Sequence, residues 1–395
     1  MRLHGKKLED FLLYMMTLAL AGIFLFAGHR VAVGRLPRLD GDSAVPVAAN
    51  VLEITGRESE SYDLGSNGTA QSVYVTFTAR IVSGESKGQT VTALQTLDYL
   101  MAGTMEEVSA GDRILLYYEE EAFREQHWMM GEYRRTDALM VLLAVFAGAL
   151  LLLGRAKGFH TLVSLTLTVA AVFAVFLPSV LSGYNIYLWA SGTCLFVVVV
   201  TLLLVSGFSV KTLCAALGCA GGLAACGLIA SGMSGILRLT GIIDQETAYL
   251  SQVNQLHPLD MRGIVFAGIL IGAMGAVMDV GLSLASALWE LRRKGKDPTA
   301  ASLLASGLSI GRDMLGTMSN TLILAYIGSS LATVLLLAAY QSAPLGLLNR
   351  EMVAIELLQM LVGSLGILLT VPASSLACAL LYPRAGLEAS EEAGL

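Results

Sequence analysis

Long apolar runs alternate with short polar breaks along most of this chain, and one polar interval interrupts them. The runs are Phe11–Gly28, Ala138–Gly154, Phe159–Leu177, Ile186–Ser206, Leu213–Gly232, Gly263–Leu288, Met314–Ala339 and Ile355–Leu381. Each approaches or exceeds the roughly 18 apolar residues with which a helix crosses a bilayer. The pattern predicts an all-α polytopic membrane protein with eight transmembrane helices.

The polar interval, 29–136, carries a different periodicity. Candidate strands are Val45–Thr55, Gln71–Val82, Gln89–Leu97, Arg113–Glu119 and a weaker Trp128–Tyr133. Within SVYVTFTARI, apolar and polar residues alternate with period two, as in a half-buried strand. Turn residues stand at Gly65–Gly68, Ser83-Gly84-Glu85 and Ala110-Gly111-Asp112. Asn67-Gly68-Thr69 matches a glycosylation sequon but reads more simply as part of a turn. Five short strands predict a small β-barrel-like, OB-like domain between helices 1 and 2, suited to a lid or to binding a partner. The chain then divides into an anchor helix (1–30), the β domain (31–136), a seven-helix bundle (137–384) and an acidic tail (385–395).

Composition supports the membrane reading. Of 395 residues, 55% are hydrophobic and 14% charged, against roughly 25% charged in soluble domains. No basic surface interleaved with aromatics appears, so no nucleic-acid partner is expected. The first run follows Arg2, Lys6 and Lys7. Its 18 residues exceed the roughly 7–15 of a signal-peptide core, so an uncleaved anchor is expected over a cleaved signal. With the N-terminus inside, the β domain falls outside. Arg155/Lys157, Lys211 and Arg292/Arg293/Lys294/Lys296 then all fall inside, as the positive-inside rule requires. Both termini are expected to be cytoplasmic. The five cysteines lie in apolar segments without CxxC spacing and read as buried thiols.

Two apolar runs carry charge. Gly268, Gly272, Gly275, Asp279, Ser283, Ser286 and Glu290 follow one another at steps of three and four, which places them on one helix face. The glycines suit close helix packing, as do Gly218 and Gly222 in an earlier span. In the next helix Ser306, Ser309, Asp313, Gly316 and Asn320 share a face. Thr317 stands one turn beyond Asp313, and Arg312 points roughly 100° away. Asp297-Pro298 looks like the start of that helix. A single helix from Pro298 to Ala339 would be about 63 Å long, so a break near Gly311 or Gly316, or an interfacial segment, is expected. Counted from the inner ends, Asp279 and Asp313 lie about 16 and 22 Å along the helix axes, near mid-membrane. If the helix instead enters at Gly311, Arg312 and Asp313 are interfacial.

Intramembrane charges point to ion or solute binding. Asp279, Arg312, Asp313, Asn320, Thr317 and Ser283 are the candidate ligands, with Arg312 setting the charge state of the aspartates. The competing structural reading makes Asp279 and Arg312 a neutralised pair between helices. An aspartic dyad is a third reading, but AVMDV and IGRDM lack the tyrosine-aspartate and glycine-aspartate motifs of intramembrane aspartyl proteases. No catalytic residue, metal-ligand set, cofactor motif or phosphate-binding loop is recognisable, and no enzyme activity is expected. His257 precedes Pro258 in a loop with nothing to support a metal role.

Three segments carry a family resemblance: SGFSVKTLCAALG, DMRGIVFAGILIGAMGAVMDVGLSLASALWEL and SGLSIGRDMLGTMSNTLILAYIGSSL. With these and the layout of anchor, exterior domain and bundle, the chain resembles the YibE/F-like family of bacterial multi-pass membrane proteins. The resemblance implies a protein of the bacterial cytoplasmic membrane. Asp279, Arg312, Asp313 and Asn320 match the family's polar positions, and no catalytic role comes with them. The functional expectation is a permease or channel-like transporter for a small ion or solute, its partners the lipid bilayer and that solute. The alternative is a membrane scaffold or accessory subunit whose β domain, residues 31–136, binds an extracytoplasmic protein.

Overall fold

The structure, a computed structural model, describes residues 2–35, 45–63, 69–97, 106–124, 126–252, 258–294, 299–339 and 344–384. The expected turn at Gly65–Gly68, the Asp297-Pro298 helix start, His257 and the acidic tail lie outside the described residues. Two compact units emerge: Leu39–Ala149, and Met1–Arg38 with Leu150–Leu395.

In the first unit five strands close in the order β1-β2-β3-β5-β4. They are β1 (Val47–Asp63), β2 (Thr69–Ile81), β3 (Thr90–Leu97), β4 (Arg113–Phe123) and β5 (Gln126–Tyr133). The alternation expected of β2 determines the inward face. Val73, Val75, Phe77, Ala79 and Ile81 are buried with Ala49, Val51, Leu97, Ile114 and Leu116. Gln95, buried among them, accepts from the Val108 amide at 2.8 Å and donates to the Glu106 carbonyl. β1 runs eight residues past the expected Thr55, and its polar end pairs with β2 through Asp63↔Thr69. Periodicity misses that extension because residues 56–61 are not buried. Arg124 holds its end, bonding Glu58 at 2.7 Å and Glu60, and lying 3.7 Å over the Tyr74 ring.

The second unit is helical. It contains α1 (Arg2–Val33), the distal part of α2 (Thr136–Ala170), a π-helical turn (Ala171–Phe176), α3 (Leu177–Leu181), α4 (Ile186–Ser206) and α5 (Val210–Ile236). There follow α6 (Gln245–Gln252), α7 (Met261–Lys294), α8 (Ala300–Ser329), α9 (Leu331–Ala339), α10 (Pro344–Leu348) and α11 (Glu351–Leu381). Among the described residues six segments are long and apolar enough to cross a membrane: Phe11–Val33, Thr136–Leu181, Ile186–Ser206, Val210–Ile236, Met261–Lys294 and Glu351–Arg384. The expected eight spans are therefore not all met by length and hydropathy. Two differences account for this. Thr136–Leu181 has 46 residues, about 69 Å if straight, but it contains a non-helical reversal at Arg155 (φ 49°, ψ −127°). A Cβ on Gly158 would collide with the Leu150 carbonyl, a contact that a straight helix cannot make across eight residues. The other difference is α8, which is too polar to qualify.

The break expected at Gly311 or Gly316 is absent. α8 is continuous through both and is interrupted at Ser330 (φ −98°, ψ 12°) before α9 begins. Its start also differs, since Thr299 caps it by accepting from the Ser302 amide at 3.2 Å. α8 runs antiparallel along α11, with Gly307 against Ser375, Gly311 against Val371 and Gly363 against Leu322.

α11 and α5 form the largest helix–helix contact. A Cβ on Gly218 would collide with Ser374 Oγ and lie 2.8 Å from Ser374 Cα, and one on Gly222 would collide with Thr370 Oγ1. All five cysteines are buried free thiols, and three donate weakly to carbonyls of neighbouring helices: Cys214 to Ala377, Cys219 to Val277 and Cys226 to Val362.

α1 packs against the π-helical turn and α3. Pro178 has no N–H to offer the Ala174 carbonyl four residues back. His29 Nδ1 donates to that carbonyl instead, at 2.7 Å, and Gly28 brings the helices together at Val175. His29→Ala is therefore expected to lower stability by about 1 kcal/mol, with the loss read first as faster proteolysis of α1. Proteolysis at the parent rate would show the bond to be dispensable.

Candidate functional site

α7 is 34 residues long, about 51 Å, and Asp279 falls near its middle. Its buried residues include Ala273, Val277, Val280, Leu284 and Leu288. The opposite stripe, Gly268, Gly272, Gly275, Asp279 and Ser283, is not buried at any position. Spacing correctly groups these residues on one face, but that face is not buried in this chain. The packing contact expected at Gly275 is absent, since a Cβ there would meet nothing within 4 Å. A Cβ on Gly268 would lie 3.6 Å from Gln359 Nε2, and one on Gly272 would collide with Tyr326 Oη of α8.

α8 divides in the same way. Leu303, Gly307 and Gly311 are buried toward α11 and α7. Ser309, Arg312, Asp313, Gly316, Thr317, Asn320 and Thr321 are exposed. The apolar face is spent on the bundle and the polar face is left open, which is why the helix fails a hydropathy criterion while lying along a spanning helix.

Contacts at both ends fix how the two helices align. Gly272 faces Tyr326, and a Cβ on Gly307 would lie 3.0 Å from Leu288 Cδ1. Interpolating between these contacts puts Asp279 level with Thr317, with Asn320 about one turn to one side and Asp313 about one turn to the other. Thr317 donates to the Met314 carbonyl at 3.0 Å, which leaves its oxygen lone pairs free to accept.

The Asp279–Arg312 pair of the competing structural reading is not formed. Among the described residues neither side chain, nor Asp313 or Asn320, makes an ion pair or side-chain hydrogen bond. Each helix commits its apolar face to α11, and that fixes rotations in which the charges do not converge. Arg312 is thus not within ion-pair distance of Asp279 in one chain. Glu290, at the end of the α7 stripe, is paired with Lys294 at 2.9 Å.

Several polar groups are not singled out by sequence. Tyr326 Oη, Ser319 Oγ, Ser374 Oγ and Ser375 Oγ are buried without hydrogen-bond partners among the described residues. Arg312, Ser319 and Tyr326 recur every seven residues, and that spacing is the signal that could have found Tyr326. Gln359, Ser374 and Ser375 sit in an apolar helix and gain meaning only from the α7 and α8 residues opposite them. Two cavities of 210 and 330 Å³ lie elsewhere, sharing Tyr187, with Arg262 lining one and Asp260 the other. Neither is lined by any of the six candidate ligands.

Long apolar helices around a buried core, with a polar face left open on two of them, define a polytopic helical membrane protein. The chain belongs to the YibE/F-like family, whose model matches residues 142–384. The match covers the bundle and begins after the barrel. No curated protein and no solved structure matches the chain.

Proposed function

We propose that the chain is a permease or channel-like transporter for a small ion or solute, with its pathway along the open faces of α7 and α8. One observation carries the reading: Asp279, Ser283, Asp313, Thr317 and Asn320 present unspent ligand atoms near one level of two long helices. An Asp or Arg at the centre of a membrane helix costs about 2.5–3.5 kcal/mol. Three charges left facing lipid would cost roughly 7–10 kcal/mol, comparable with the whole stability of a domain. Such a face is retained where it meets water, a solute or protein.

Asp279 binds the proton or cation, with Ser283, Thr317 and Asn320 as neutral ligands and Asp313 as a second carboxylate one turn away. Among the described residues no three His, Cys, Asp or Glu side chains converge. A site with one carboxylate per helix suits an ion that must also leave. The protein resides in the bacterial cytoplasmic membrane with both termini inside, since Arg155/Lys157, Lys211 and Arg292/Arg293/Lys294 then share the cytoplasmic side. α8 spans together with the two arms of Thr136–Leu181, which makes eight crossings. The test is flux in proteoliposomes with a pH-sensitive dye inside, challenged with gradients of common cations and anions. A protein-dependent signal supports the reading, and silence from folded protein across the panel overturns it.

One observation favours a second role, for the barrel. It lies outside the residues that match the family. We assign it to binding an extracytoplasmic protein partner, as the scaffold reading requires. Deleting residues 40–134 should then abolish partner capture while the bundle keeps its melting temperature. Capture that survives the deletion would place the partner's site on the bundle.

A further inference from the structure

The open face of α8 has the spacing of a helix–helix seam. Ser309, Asp313, Gly316 and Asn320 follow at steps of four, three and four, and all four are exposed. These are the steps of the d and a positions of a heptad, with Arg312 at g and Thr317 at e. A Cβ on Gly316 would meet nothing within 4 Å, so a second backbone can approach there as it does at small residues in membrane helix pairs. Arg312 and Asp313 are adjacent and of opposite charge, and among the described residues neither forms an ion pair.

We propose that α8 docks in parallel against α8 of a second copy of this chain, about a two-fold axis along the membrane normal. The charge pattern selects this occupant. A two-fold contact requires residue i to meet j and j to meet i, and an Arg-Asp step at the adjacent g and a positions meets that condition with itself. In parallel knobs-into-holes packing an a-position knob enters a hole bordered by the g residue before the partner's own a residue. Asp313 thus meets the second copy's Arg312, and Arg312 meets the second copy's Asp313, at one depth. The two aspartates at the seam are each neutralised by an arginine that their own chain does not supply. Asn320 falls at the next a position, where a lone asparagine fixes register and favours a dimer. The inference rests on the transport reading only for its consequence in the pathway. There, the second copy's Arg312 pairs with Asp313 and leaves Asp279 as the unpaired carboxylate. The docking itself stands on geometry.

The experiment is cysteine cross-linking in native membranes. Gly316→Cys places a thiol on the seam without a clash, and the five native cysteines are buried. Mild oxidation should yield a disulfide-linked dimer of the 41.7 kDa chain. The parent and Leu228→Cys, 77% exposed on α5, should remain monomeric. Adding Arg312→Asp or Asp313→Arg to the Gly316→Cys chain should reduce the cross-linked fraction about tenfold or more, because each leaves like charges at the seam. Combining the two restores opposite charges and should return the fraction to within about twofold of the unswapped level. A purely structural role for either residue within one chain would not produce that restoration. Absence of dimer from folded Gly316→Cys protein, or equal cross-linking in single and combined swaps, overturns the inference. Because the readout is mass, silent flux with a normal dimer sinks the transport reading alone, and flux from a monomer sinks the dimer alone.

Discussion

Asp279→Asn is expected to reduce ion flux in proteoliposomes to that of protein-free vesicles, with expression and melting temperature unchanged. The exchange preserves shape and removes the one group on the α7 stripe able to carry a proton or balance a cation in mid-membrane. It breaks no bond, because among the described residues Asp279 makes no ion pair or side-chain hydrogen bond. Changes at such positions usually stay within about 0.5 kcal/mol. A pairing role would give the opposite result. Removing one partner of a buried pair costs about 3–5 kcal/mol, and the protein would misassemble. Asp279→Glu should retain part of the flux, since it keeps the charge and displaces it by one methylene. Full flux in the asparagine variant would remove Asp279 from the pathway.

Gly218→Leu should be the most damaging single change to the bundle. Ser374 Cα lies 2.8 Å from where a Cβ would stand, and backbone cannot rotate away as a side chain can. Even Gly218→Ala forces α5 and α11 apart, and overpacking of this kind costs about 1–3 kcal/mol. Leucine adds three carbons to the collision in the largest helix contact of the protein, so loss of monodisperse protein in detergent is expected. Gly275→Ala is the matched control, with open space around it and an expected shift within about 0.5 kcal/mol. If Gly218→Leu melts like its parent, α5 and α11 do not approach at that point.

Much of this is legible in the sequence, and the failures have a common cause. Apolar length locates the helices, alternation locates the inward face of β2, and steps of three and four group the α7 stripe. Each is a property of one element by itself. Whether the stripe is buried depends on how α7 is rotated against α11, and spacing along one helix says nothing about that. The same limit applies to Asp279 and Arg312, which share a depth range but not a direction. Tyr326 over Gly272 and Ser374 against Gly218 are pair properties and appear only when two helices meet. Cap positions fail for a local reason. Asp297-Pro298 and Thr299 are competing starts within three residues, and the Thr299 hydroxyl is the group that reaches an amide.

The bond from His29 to the Ala174 carbonyl joins residues 145 positions apart, and that separation imposes an order on synthesis. At about 5–20 residues per second the carbonyl follows the histidine out of the ribosome by roughly 7–30 s. The barrel is translated in that interval. For its duration the His29 imidazole lacks the acceptor it has in the folded chain. Pro178 offers that carbonyl no N–H, and the histidine of α1 supplies one only once residues 171–181 have been made.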